Sequence, residues 1–200
     1  VIPSLLGFRR AKNDFPLPKG SSSMDFNSIP AGTSIPDDFN AIIEIPADAS
    51  PVKYEADKGL NLFRVDRFLS TSMRYPANYG FVPSTLSRDG DPVDVLVVAP
   101  YPIQTGALVR CRPIGLMKMT DEAGEDAKVI AVPIDKICAA SVGIEVLPDL
   151  GEALLSRIEH FFKHYKSLEP GKWVRFEGWG DIDAARKELL EAQAAFKPHA

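Results

Sequence analysis

The sequence predicts an α+β, mainly β fold: a closed or nearly closed antiparallel barrel with two flanking C-terminal helices. Three observations lead there. Short segments rich in Val, Ile, Leu and Phe, separated by Pro, Gly, Asp and Asn, fill residues 41–132, the texture of an all-β barrel. No long helical pattern interrupts them, which argues against a parallel sheet with crossover helices. After Pro148 the apolar period changes from two to three or four, as in amphipathic helices.

The predicted strands are 41–45, 52–56, 62–69, 93–98, 107–118 and 128–132. The spacing Asp149-x-x-Glu152 predicts a capping box. From there Leu150, Leu154, Ile158, Phe161, Phe162 and Tyr165 form one helical stripe, stopped by Glu169-Pro170-Gly171. A strand at 173–177 follows, then a helix from Asp181 or Asp183 with Ala185, Leu189, Ala192 and Phe196 on one side.

The 200 residues, 45% of them hydrophobic, suffice for one domain with a substantial core. Residues 1–23 differ in texture and end in a Gly-Ser-Ser-Ser run before Met24. They read as an N-terminal extension (an upstream start, a targeting remnant or an expression scar) ahead of a single domain at 24–200. Leu-Leu precedes Arg-Arg there, the wrong order for a secretory signal. A net charge of −4 argues against a nucleic-acid partner. No apolar stretch approaches the roughly 18 residues of a membrane span. Cys111 and Cys138 stand alone in apolar or small-residue surroundings, which predicts two reduced, buried thiols and a cytoplasmic protein.

The acids carry the chemistry. Asp89-Gly-Asp91-Pro-Val-Asp94 is followed by Asp121-Glu122-Ala-Gly-Glu125-Asp126. A solvated turn explains one or two such acids. The whole set repels itself unless cations intervene, and carboxylate oxygen is the donor that Mg²⁺ prefers. The expectation is a site for several Mg²⁺ ions and a phosphate client. An EF-hand loop fails, because its sixth and twelfth positions would be Asp94 and Pro100 instead of Gly and Glu. An aspartate-nucleophile phosphatase motif, formally matched by Asp89 to Val93, should end a buried apolar strand, but Thr85-Leu-Ser-Arg88 precedes it.

Lys53/Glu55 and Asp126/Lys128 each stand at strand spacing and so share a face. In isolation each is a surface ion pair of little worth. Beside clustered acids they suggest lysines alternating with cations around a polyanion. Arg67, Tyr75, Tyr79, Tyr165 and Lys166 add hydroxyls and forks suited to phosphate oxygens. His160 and His164, four apart, lack a Glu-x-x-His frame and read as a helix-face or interface pair rather than a zinc site.

The segment from Asp89 to Val95 resembles the signature of the family I (soluble) inorganic pyrophosphatases of the bacterial type. The resemblance extends in order through Ile43-Glu-Ile-Pro46, Val52-Lys-Tyr-Glu55, Val65-Asp-Arg-Phe68, Tyr75-Pro-Ala-Asn-Tyr-Gly80, Lys118 to Lys128, His160 to Lys166 and Gly171-Lys-Trp-Val174. It implies a distorted five-stranded barrel of the OB type with flanking helices. It also implies Mg²⁺-dependent hydrolysis of pyrophosphate to two orthophosphates by direct attack of a metal-activated water. Several Mg²⁺ ions would bind per site, with Mn²⁺ or Zn²⁺ as substitutes.

The same resemblance implies residue roles. Asp89, Asp94 and Asp126 would hold a tight metal pair, with Asp94 bridging. Asp121 would hold a further metal and Glu55 would reach it through water. Asp91 would accept the proton of the attacking water. Lys53, Arg67, Tyr79, Lys128, Tyr165 and Lys166 would bind phosphate, with Tyr79 and Glu44 also in the catalytic set and Tyr75 and Glu122 in support. The implied assembly is a homohexamer, a dimer of trimers, with His160 and His164 between subunits.

Overall fold

The computed structural model describes residues 26–197; the expected 1–23 extension lies outside them. In chain order the strands are β1 (Gly32–Ser34), β2 (Asp38–Ile45), β3 (Val52–Asp57), β4 (Leu62–Phe68), β5 (Asn78–Phe81), β6 (Asp94–Val97), β7 (Leu108–Asp121), β8 (Gly124–Glu125), β9 (Lys128–Pro133) and β10 (Val174–Gly180). The helices are α1 (Glu152–His164), before β10, and α2 (Ile182–Ala195), after it.

Five strands close a ring in the order β2-β5-β6-β9-β7 and back to β2. The ring is a distorted, OB-like barrel. The long β7 makes closure possible: its first residues pair with β2, its middle with β9 and its end with β10. Pro113, which cannot donate to a ladder, sits at a register shift against β9. Strands β3 and β4 form a separate two-stranded hairpin.

The expectation of a wholly antiparallel barrel is corrected. Strands β6 and β9 run parallel. The reason is parity: strand direction cannot alternate at every step around a ring of five, so one neighbouring pair must run the same way. That pair is buried throughout β9, which accounts for the unbroken run Val-Ile-Ala-Val. One face (Val95, Val97, Val129, Ala131) packs with Ala185, Leu189 and Ala192 of α2. The other (Leu96, Ile130, Val132) packs with Ile158, Phe161 and Phe162 of α1.

Three local expectations change. Asp149 does not cap α1. Its carboxylate accepts from the backbone N–H groups of Glu145 and Val146 and closes the preceding turn of 3₁₀ helix, while Gly151 occupies the α1 cap position at φ 80°. Phe196 lies past the end of α2, with extended backbone. Cys138 is only half-buried, whereas Cys111 is buried; both thiols are free. Asp181 does cap α2, accepting from Ala184 N at 2.9 Å. The sequence reading also missed β1, β5 and β8. Strand β5 crosses β2 so closely that a Cβ on Gly80 would lie 1.9 Å from Ile42 O.

Candidate active site

A cleft of about 670 Å³ opens between the barrel and the β3–β4 hairpin. Every residue assigned a catalytic, phosphate-binding or metal-binding role from the sequence lines it. Glu122 does not line it but lies just behind, holding Lys172 at 2.5 Å and Lys166 at 3.4 Å.

The centre is built by strand register. Asp94 opens β6 directly opposite Lys128, the first residue of β9. Lys128 Nζ donates to Asp94 Oδ2 at 2.6 Å and to Asp126 Oδ1 at 2.7 Å. Tyr79, on β5, donates its hydroxyl to the same Asp94 oxygen at 2.6 Å. The rings of Tyr79 and Phe162 each lie 5.4 Å from the Lys128 nitrogen, cation–π contacts that help hold a buried charge. Burial pulls the Lys128 pKa down, but Asp94 and Asp126 outweigh it and hold the ammonium well above its usual range. Burial and the Asp94 charge raise the Tyr79 phenol well above normal, so Tyr79 keeps its proton and acts as a donor.

The acid loop enters from one side. The Asp91 N–H donates to Asp89 Oδ1 at 3.0 Å, and Gly90 between them takes φ 92°, a conformation that glycine adopts without strain. Burial, and after it the charges of Asp94, Asp91 and Asp126, raise the Asp89 pKa. Burial, with Asp94 and Asp121, likewise raises Asp126 against the pull of Lys128. This is the mutual repulsion foreseen for the acids, and Lys128 neutralises only part of it.

Two further walls complete the cleft. At the end of β7, Asp121 accepts from Lys166 Nζ at 2.7 Å and from Ala123 N at 2.8 Å. Tyr165, stacked on Phe161 at 5.1 Å, stands beside Lys166 just past α1. From β2, Glu44 is buried and accepts from Ala56 N at 2.8 Å. Burial, and next the nearby Asp94 charge, push its pKa up to about 8 against that hydrogen bond. On the hairpin, Lys53 donates to Glu55 at 2.5 Å and lies 3.3 Å from Asp66. Arg67 bonds Asp66 at 2.7 Å and Glu169 at 3.2 Å.

The donor set offered to a cation is all oxygen. Among the described residues no group of three or more His, Cys, Asp or Glu side chains converges into a ligand cluster. Asp89, Asp94, Asp121 and Asp126 instead line one open cleft and interact through their charges. That arrangement fits Mg²⁺, which takes one or two carboxylates and keeps several waters. His160 and His164 are exposed on α1 with rings 4.6 Å apart, away from the cleft lining.

Asp57, Lys58, Arg64 and Lys172, to which the sequence assigned no role, also line the cleft. Asp57 was legible, since it continues the period-two face of Lys53 and Glu55. Arg64 was not, because its place depends on the pairing of β4 with β3, which sets it opposite Glu55 with a register shift between Lys53 and Tyr54.

Comparison with known proteins points the same way. The family described as inorganic pyrophosphatase matches residues 41–197. The chain is 58% identical over 174 residues to the inorganic pyrophosphatase of Ralstonia nicotianae, covering 87% of this chain and 99% of that one. It is 55% identical over 174 residues to the inorganic pyrophosphatase of Pseudomonas aeruginosa, with the same coverage. The solved inorganic pyrophosphatase of Coxiella burnetii superposes with a TM-score of 0.82 at 57% identity, covering 84% of this chain and 100% of that one.

Proposed function

The chain belongs to the family I inorganic pyrophosphatases of the bacterial type, and from that premise we propose that it splits pyrophosphate into two orthophosphates by direct, Mg²⁺-dependent attack of water. The observation that carries this reading is the single cleft lined by the acids, lysines, arginine and tyrosines named above.

Asp89, Asp94 and Asp126 are the residues that would hold the principal Mg²⁺ ions, with Asp121 and Glu55 serving a further one; Mn²⁺ or Zn²⁺ would substitute. Bound there, the metal lowers the pKa of water and neutralises phosphate oxygens. The protein's own groups do the rest. Asp91, whose backbone is tied to Asp89, receives the proton of the attacking water, a general-base role. Lys53, Arg67, Lys128 and Lys166 offset the charge of the polyanionic substrate, most of all on the leaving phosphate, and Tyr165 donates its hydroxyl to a phosphate oxygen. Tyr79 orients Asp94 through its retained proton. Glu44 braces the hairpin through Ala56 N. As water oxygen bonds to one phosphorus, the bond from that phosphorus to the bridging oxygen breaks. Its electron pair leaves on the second phosphate. No side chain becomes covalently attached.

Phosphate release from pyrophosphate, measured with and without Mg²⁺, tests the reading; a nucleotide and a sugar phosphate serve as controls. Release that ignores Mg²⁺, or that favours the sugar phosphate, would remove it. The reading includes a homohexamer, a dimer of trimers, with the exposed His160–His164 face between subunits, and light scattering in solution tests that mass. It also includes a cytoplasmic location, supported by the two free thiols. Among the described residues no helix is long and apolar enough to cross a membrane.

A further inference from the structure

Lys53, Lys58, Arg64 and Arg67 of the β3–β4 hairpin line the cleft, and Lys53 and Arg67 are tightly held. Lys53 lies 2.5 Å from Glu55 and Arg67 lies 2.7 Å from Asp66. Arg64 differs. Its guanidinium stands 3.8 Å from Glu55 Oε2 and 3.5 Å from Asp57 Oδ2, longer than charge-assisted hydrogen bonds run. Its side chain is 59% exposed. Glu55 and Asp57 are half-buried, but ion pairs this long to an exposed arginine contribute little, whereas an arginine fork on phosphate makes two parallel charge-assisted bonds. Redirecting Arg64 from these two carboxylates to a phosphate therefore costs little and returns more.

Asp57 is arranged to permit that exchange. Its Oδ1 accepts from Gly59 N at 3.0 Å and Leu60 N at 2.9 Å and so fixes the hairpin turn. Its Oδ2 is the oxygen that faces Arg64. One carboxylate thus shapes the turn with one oxygen and restrains the arginine with the other. We propose that Arg64 is a substrate-contacting residue: when pyrophosphate enters, its guanidinium leaves Asp57 and grips a phosphoryl group from the hairpin side of the cleft, and Asp57 sets the cost of that release. The inference rests on the pyrophosphatase reading of the same cleft.

The test is steady-state pyrophosphate hydrolysis at saturating Mg²⁺, with product inhibition by orthophosphate, on wild type, Arg64→Ala, Arg64→Lys, Asp57→Asn and the double variant Asp57→Asn/Arg64→Ala. Asn keeps the oxygen that the turn needs, so Asp57→Asn removes the restraint and spares the hairpin. Arg64→Ala should raise KM and the orthophosphate inhibition constant about 5- to 20-fold and move kcat less. Arg64→Lys should recover part of that loss, a point charge replacing a fork. Asp57→Asn should lower KM about 2- to 5-fold, and this gain should vanish in the double variant. Unchanged KM in Arg64→Ala overturns the proposal. So does a gain from Asp57→Asn that persists without Arg64, since a general field effect would then account for it. A wild type that releases no phosphate sinks the pyrophosphatase reading itself, a separate outcome.

Discussion

Asp94 and Lys128 are cross-strand partners in the parallel pair β6–β9, and the Lys128 ammonium lies 2.6 Å from Asp94 Oδ2 while also holding Asp126 at 2.7 Å. One buried cation therefore serves two acids of the proposed metal set.

Removing that cation exposes their repulsion. In EDTA, Lys128→Met should cost roughly 3 kcal/mol, the usual scale for breaking a buried ion pair from one side. Urea unfolding measures it. Added Mg²⁺ should recover part of the loss, and no recovery would argue that the acids do not gather divalent ions.

Asp91→Asn should leave the unfolding curve of the protein unchanged and cut turnover on the order of 10²-fold or more, within the range for losing a general base. A variant that turns over pyrophosphate at near wild-type rate takes Asp91 out of the mechanism.

Metal and phosphate duties should separate. Asp126→Asn should weaken Mg²⁺ binding to the free protein about tenfold by calorimetry. Lys53→Ala and Arg67→Ala should leave that binding within about threefold and raise KM instead. Lost Mg²⁺ affinity in the lysine or arginine variant would mean that the hairpin organises the metals rather than the substrate. The tenfold expectation corresponds to about 1.4 kcal/mol.

Glu44 gives a signed pH dependence. Its pKa rises from 4.5 to about 8 on folding, first through burial and then through the Asp94 charge. A group raised on folding contributes stability fully present below its unfolded pKa and lost as pH climbs through the folded value. In metal-free protein, Glu44 should therefore erode stability between about pH 4.5 and 8. Glu44→Gln keeps an acceptor for Ala56 N and removes the titration. Thermal unfolding should show the variant gaining on wild type by at least 1 kcal/mol, about 2–4 °C, between pH 5 and pH 9. Parallel curves would show that Glu44 does not titrate in this window.

Gly80→Ala tests the missed strand. The added Cβ would meet the backbone of Ile42 at 1.9 Å, a clash that no side-chain rotation relieves. A loss on the order of 3 kcal/mol or more is expected from such overpacking, seen as a lowered urea midpoint or failure to fold. A stability loss below about 0.5 kcal/mol would refute the close β2–β5 crossing.

Much of this was legible along the chain because the signals are local. Short runs rich in Val, Ile, Leu and Phe mark strands, the Ile158-Phe161-Phe162 stripe marks α1, and the pairs Lys53/Glu55 and Asp126/Lys128 meet across two residues, as strand geometry requires. The acid clusters announce their chemistry by charge alone, since their repulsion must be answered wherever they fold. Asp149 shows the limit: its spacing to Glu152 suits a capping box, yet backbone N–H groups upstream compete for the same oxygen and win.

The tertiary structure decided what depends on closure and register. The ring of five forces one parallel pair, and that pair sets Asp94 against Lys128, 34 residues apart in sequence. The fold of the hairpin over the barrel turns Arg64 and Asp57 into the cleft. Residue types and short-range spacing determine which groups can do chemistry. Only long-range strand pairing, driven by burial of both faces of β6 and β9, determines which of them meet.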